Sequence, residues 1–159
     1  MEMMIQYNRF IAPILLLSLI LVLPLAVAKD VRYCDTRAEY DVKVQGVEIS
    51  PNPIARGKPA TFSIAATTGA AIDGGGGKLV IVVSYFGWHI HSETHDLCDE
   101  TSCPVSTGDF VVSHSQVLPG YTPPGSYSLK MKMLDANKHE LTCIGFDFSI
   151  GFASSVADV

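Results

Sequence analysis

From Tyr127 to Met133 the chain sets Tyr127, Leu129, Met131 and Met133 against Ser128, Lys130 and Lys132. A period of two is that of a β-strand with one dry face and one wet face, so this segment belongs at the surface of a two-sided sheet. The same alternation recurs in Phe110 and Val112, and in Ile144, Phe146, Phe148 and Ile150 against Asp147 and Ser149. Upstream, Phe62 and Ile64 alternate with Thr61 and Ser63, and Val42 and Val44 alternate until Gly46 interrupts, as a bulge would. Leu79 to Val83 is apolar on both parities and reads as a central strand. Ser50-Pro51-Asn52-Pro53, Gly74 to Gly77, Pro119-Gly120 and Pro123-Pro124-Gly125 supply turns between these runs, and no amphipathic helix competes with them. About seven short strands at this spacing predict an all-β, immunoglobulin-like two-sheet sandwich.

The first 28 residues obey a different rule. Arg9 precedes an uncharged run from Phe10 to Ala28, which closes on Ala26-Val27-Ala28 ahead of Lys29 and Asp30. That is the layout of a cleaved secretory signal peptide, and Pro24, which breaks a helix just before the small-residue site, argues against a permanent anchor. The reading is therefore a leader over 1–28, one domain over 29–151 and a small, frayed tail over 152–159. The leader also inflates the 48% apolar content; without it roughly 42% of the chain is apolar, an ordinary globular value. A net charge of -5 offers no basic face for phosphates, so nucleic acid is not an expected partner.

An oxidising destination makes the four cysteines candidates for disulfides. Three pairings exist. Cys98 and Cys103 are close enough to bridge across a turn, while Cys34 and Cys143 flank nearly the whole domain, so 98 to 103 with 34 to 143 is the favoured set.

Several chemical motifs fail on inspection. Gly74-Gly75-Gly76-Gly77-Lys78 has Leu79 where a phosphate loop needs a Ser or Thr, and a strand follows where a helix is required. Ser113-His114-Ser115 lacks a nucleophile elbow and a third partner, and neighbours on a strand point to opposite faces. Asp96, Asp99 and Glu100 read as solvated charges around a disulfide loop. His89 and His91 stand on one strand face with His95 four residues on, and a metal ligated by this pair with His95 or Asp99 is a minor alternative to ordinary surface histidines. No enzymatic chemistry and no cofactor follow from these residues.

One known family is similar to this pattern. Tyr33-Cys34-Asp35, Val47-Glu48-Ile49-Ser50-Pro51, His89-Ile90-His91-Ser92-Glu93, Asp96-Leu97-Cys98 with Cys103-Pro104, Leu118-Pro119-Gly120 and Leu141-Thr142-Cys143-Ile144 together resemble a plant ML-domain protein. This is the MD-2-related lipid-recognition family, which includes the Niemann-Pick type C sterol carrier, phosphatidylglycerol/phosphatidylinositol transfer proteins and mite allergens. The likeness spans about Val31 to Gly151. It implies a sandwich with a lipid cavity between the sheets, a sterol or phospholipid held without covalent chemistry, transient membrane contact, and a life in the extracellular space, apoplast or vacuole lumen. Carried over to this chain, Ile90 is a pocket residue, Phe86 and Trp88 share its parity, and Leu118 to Tyr121 lie near the cavity mouth. Phe110, Val112, Leu129, Met131, Met133, Phe146 and Phe148 are expected linings from alternation. Two other functions stay open on the residues: an interaction or signalling module with a solid core, and a histidine-based metal-binding protein.

Overall fold

The structure is a computed structural model that describes residues 30–73 and 75–152. The expected leader, and residues 153–159 of the expected tail, lie outside the described residues. Among the described residues eight strands form, β1 (Arg32–Tyr33), β2 (Val42–Ser50), β3 (Pro59–Thr68), β4 (Lys78–Tyr85), β5 (Trp88–Asp96), β6 (Gly108–Val117), β7 (Gly125–Leu134) and β8 (Glu140–Ile150), with one short helix, α1 (Leu97–Glu100). They make two antiparallel sheets, in the order β1-β8-β7-β4-β5 and β2-β3-β6. The count exceeds the expected seven by the two-residue β1, too short to leave a periodic signal.

Alternation becomes burial where it was strongest. On β7, Tyr127, Leu129, Met131 and Met133 are buried, while Ser126, Ser128 and Lys130 are exposed. They meet Phe146, Phe148 and Ile150 of β8 and Phe62, Ile64 and Val112 of the smaller sheet in one core. β4 lies between β7 and β5, as its doubly apolar run requires, although Val80 reaches solvent. Gly46 sits where β2 slips by one residue against β3, between Val44 and Gly46.

The two long edges of the sandwich differ. On one side the sheets are tied together: Tyr33 of β1 accepts the Val44 N–H of β2 on its hydroxyl at 2.9 Å, and the Cys34–Cys143 bridge, with Cα atoms 5.4 Å apart, staples the β1 end to β8 within the large sheet. Ile54 there donates its N–H to Ser149 (2.8 Å) and accepts from Gly151 (2.9 Å). On the other side β5 ends the large sheet and β6 ends the small one, with no ladder between them. α1 and the Cys98–Cys103 bridge connect these two edges at one end. Sheets closed along one side and unpaired along the other part at the unpaired edge, and that is where the interior stays unfilled.

Candidate functional site

Between the sheets lies a cavity of about 480 Å³, within the roughly 300–1,000 Å³ of small-molecule sites. Its walls are apolar: Phe62 of β3, Ile81 and Val83 of β4, Tyr127 and Leu129 of β7, Phe148 and Ile150 of β8. Phe62 sets its ring edge-on to Phe148 at 5.6 Å, and Phe148 stacks on Tyr127 at 5.4 Å. Tyr127 donates its hydroxyl to the Pro123 carbonyl at 2.6 Å, which fixes the ring at the cavity wall, where it also stacks on Tyr85 at 4.5 Å. Burial, with the neighbouring Tyr85, raises the Tyr127 phenol above its ordinary value, so it stays a neutral donor.

The mouth is formed by Ile90, Val117 to Pro119 and Tyr121 to Pro123. Arg56 holds that loop by reaching the carbonyls of Gly120, Thr122 and Phe152. Polar groups gather on the β5 and β6 side, where His91, Glu93, His114 and Gln116 also line the space.

Of the residues expected to contact lipid, Ile90, Leu118, Tyr121, Leu129 and Phe148 are brought together around this cavity. Val112, Met131, Met133 and Phe146 are fully buried in the core and do not line it. Phe110 borders a separate surface groove beside the Cys98–Cys103 loop. Phe86 and Trp88 flank the β4–β5 turn, 82% and 78% exposed, outside the cavity wall.

The parity expected for β5 also differs, for a local reason. Val83 pairs with His91 and Ser84 with His89, so Ile90 is an extra residue in a bulge. A bulge breaks strict alternation, and both Ile90 and His91 reach the cavity. Beyond it, the partly buried Glu93 and His95 hold the face that continues from His91, paired across the gap with His114 and Glu100.

Sequence reasoning passed over Phe62 and Tyr127 as wall residues although both lay in the alternating pattern. It had no signal for Glu93 and His114, whose meeting depends on how the two sheets stack. The histidine set weighed as a minor metal alternative is not assembled in that form: His89 and Asp99 are exposed, whereas His95 joins Glu93 and His114. Ser113 and Ser115 face solvent on either side of the buried His114, so no hydroxyl of that triplet meets the imidazole.

A two-sheet sandwich that parts at one edge around an apolar cavity is the architecture of a lipid-recognition protein. Residues 28–150 match the ML domain family, and the chain belongs to that family. It is 33% identical over 141 residues to a putative phosphatidylglycerol/phosphatidylinositol transfer protein of Dictyostelium discoideum, covering 86% of this chain and 96% of that protein. It is 32% identical over 134 residues to the MD-2-related lipid-recognition protein ROSY1 of Arabidopsis thaliana, covering 79% of this chain and 81% of that one. In fold it is similar to a Niemann-Pick type C2 protein from Japanese carpenter ant, with a TM-score of 0.58 at 15% identity over 76% of this chain and 99% of the other.

Proposed function

We propose that this protein is a secreted lipid carrier that holds a sterol or a phospholipid non-covalently between its sheets and exchanges it at membranes. The observation that carries the reading is the unfilled cavity walled by Phe62, Leu129, Tyr127 and Phe148, because a sandwich core normally closes to crystal-like density. Each methylene removed from water there is worth about 0.8 kcal/mol, so some ten of them supply about 8 kcal/mol, the same order as the ordering costs of binding. The polar side of the mouth, with His91, Gln116 and Thr122, suits the head of an amphipathic ligand. The description of the Dictyostelium relative favours a phospholipid.

Membrane exchange is supported by the rim. Tyr121 at the mouth and Phe86 and Trp88 on the adjacent turn are more than three-quarters exposed, and aromatic side chains settle at the lipid–water interface. Phe86 holds a φ of 50°, a left-handed conformation that costs a side chain such as phenylalanine about 1–2 kcal/mol. A large aromatic kept there and left in solvent serves something outside the fold. The two disulfides fit an oxidising secretory compartment.

Titration of the delipidated protein with a fluorescent sterol and with labelled phosphatidylglycerol and phosphatidylinositol tests the proposal. Saturable uptake of at least one, at one molecule per chain, is expected. Uptake of none by the folded protein would leave the solid-core module as the better reading.

A further inference from the structure

Four side chains span the open edge of the sandwich at the polar side of the cavity: Glu93 and His95 from β5, Glu100 from α1 and His114 from β6. Among the described residues, five buried side-chain nitrogen or oxygen atoms lack a hydrogen-bond partner. Three of them are Glu93 Oε1, His95 Nε2 and His114 Nε2. These three residues bring ligand atoms within 4.8 Å of one another. His114 Nε2 is 3.3 Å from Glu93 Oε1, and His95 Nε2 is 3.4 Å from Glu93 Oε2. They are close without being aligned as donor and acceptor.

Those spacings have a simple meaning. A tetrahedral ion with ligands at about 2.0–2.1 Å holds neighbouring ligand atoms roughly 3.3–3.4 Å apart. On the opposite side of the rings, His114 Nδ1 is hydrogen-bonded to Glu100 Oε1 at 3.2 Å, and His95 Nδ1 approaches the same oxygen at 3.5 Å. A carboxylate behind an imidazole fixes its tautomer with the proton on Nδ1 and turns the Nε2 lone pair forward. Glu100 serves His114 in this way, and the Nε2 atoms of His114, 5% exposed, and of His95 both stand beside the Glu93 carboxylate. Acceptors crowded in a buried space repel one another unless a proton or a metal cation lies among them, and the absence of an aligned donor at either Nε2 favours the metal.

We propose that Glu93, His95 and His114 form a zinc site, with Glu100 as the hydrogen-bonding partner that orients both imidazoles. Two imidazoles and a carboxylate suit zinc, whereas calcium and magnesium prefer all-oxygen cages. Three protein ligands leave a fourth position for water. Because Glu93 and His114 are also wall residues, the ion would border the ligand space and clip the β5 edge to the β6 edge. The site stands on these contacts alone and does not depend on lipid binding.

The test uses tag-free, disulfide-bonded mature protein, stripped with a chelator, equilibrated with micromolar zinc and analysed for metal after desalting. One ion per chain and a raised Tm are expected, and cobalt in place of zinc should give the intense visible bands of tetrahedral coordination. The double change His95→Gln with His114→Gln should abolish retention. Glu100→Gln should weaken affinity about ten- to a hundredfold, and His89→Gln should leave it unchanged. Circular dichroism checks that each variant is folded; should the double variant unfold, the wild-type cobalt spectrum decides. Sub-stoichiometric zinc on the folded wild type, full retention after loss of both histidines, or a weak octahedral cobalt spectrum would each overturn the proposal.

Discussion

Replacing Val83 with phenylalanine separates a carrier with an open cavity from a sandwich with a solid core. Val83 is half-buried, lines the cavity from β4 and pairs with Leu129 of β7 on the same face. A benzyl group in place of the isopropyl group adds four carbons, which fill the space of about two to three methylenes of a bound tail. At about 0.8 kcal/mol per methylene the ligand loses some 2 kcal/mol, or about thirtyfold in affinity. The apo protein gains contacts in space that was empty, so its Tm should hold or rise. In a filled core the same change would overpack, costing about 1–3 kcal/mol and lowering Tm by several degrees. Calorimetric unfolding of the delipidated variant and titration with a labelled phospholipid read both quantities. A lower Tm with unchanged lipid affinity would refute the reasoning, because it would mean that Val83 has no free space beside it.

Other outcomes follow from the same geometry. Breaking Cys34–Cys143 by double Ser substitution should lower stability by up to about 5 kcal/mol, against about 2 for Cys98–Cys103, because the first closes a 109-residue separation and the second only 5; equal losses in urea unfolding would contradict this ordering. The Asp96 carboxyl is held below its ordinary 3.8 first by the Cys98 N–H and then by Lys78. A depressed folded value stabilises above the ordinary one and is lost as pH falls through the folded one, so the gap in urea midpoint between wild type and Asp96→Asn should close on acidification below about pH 4; a gap that widens there would reverse the sign. Trp88, the one tryptophan in the chain, should shift its emission to the blue when vesicles are added. Trp88→Ala should slow transfer between vesicles while changing affinity for a soluble short-chain lipid less than threefold; an equal loss in both assays would place Trp88 in the cavity wall.

The parts of the fold legible in the sequence were those written in local periodicity. Tyr127 to Met133 and Ile144 to Ile150 announce their inner faces because each alternates without interruption, and the apolar residues of both runs are buried; β8 also buries Leu141, Thr142 and Cys143 in succession, which no alternation marks. The same rule could not separate wall from core. Leu129 and Met131 share one face of one strand, yet only Leu129 borders the cavity, since that depends on how far the opposite sheet stands off. On β5 the rule failed outright. One bulged residue, Ile90, shifts the strand's phase, and charged side chains hold the inner face because partners on α1 and β6 receive them. Alternation reports hydrophobicity, so an inner face built of Glu93 and His95 is invisible to it.

The central claim, that a lipid tail lies between the sheets, is tested most directly by photolabelling. A phospholipid with a diazirine in its acyl chain is bound to the delipidated protein, irradiated, and the modified residues are read by peptide mass spectrometry. Labels should concentrate on Phe62, Val83, Leu129 and Phe148, from four strands in two sheets, and unlabelled lipid should compete them away. Labels confined to Phe86, Trp88 and the groove beside Phe110, with those four wall residues unmodified, would contradict the account.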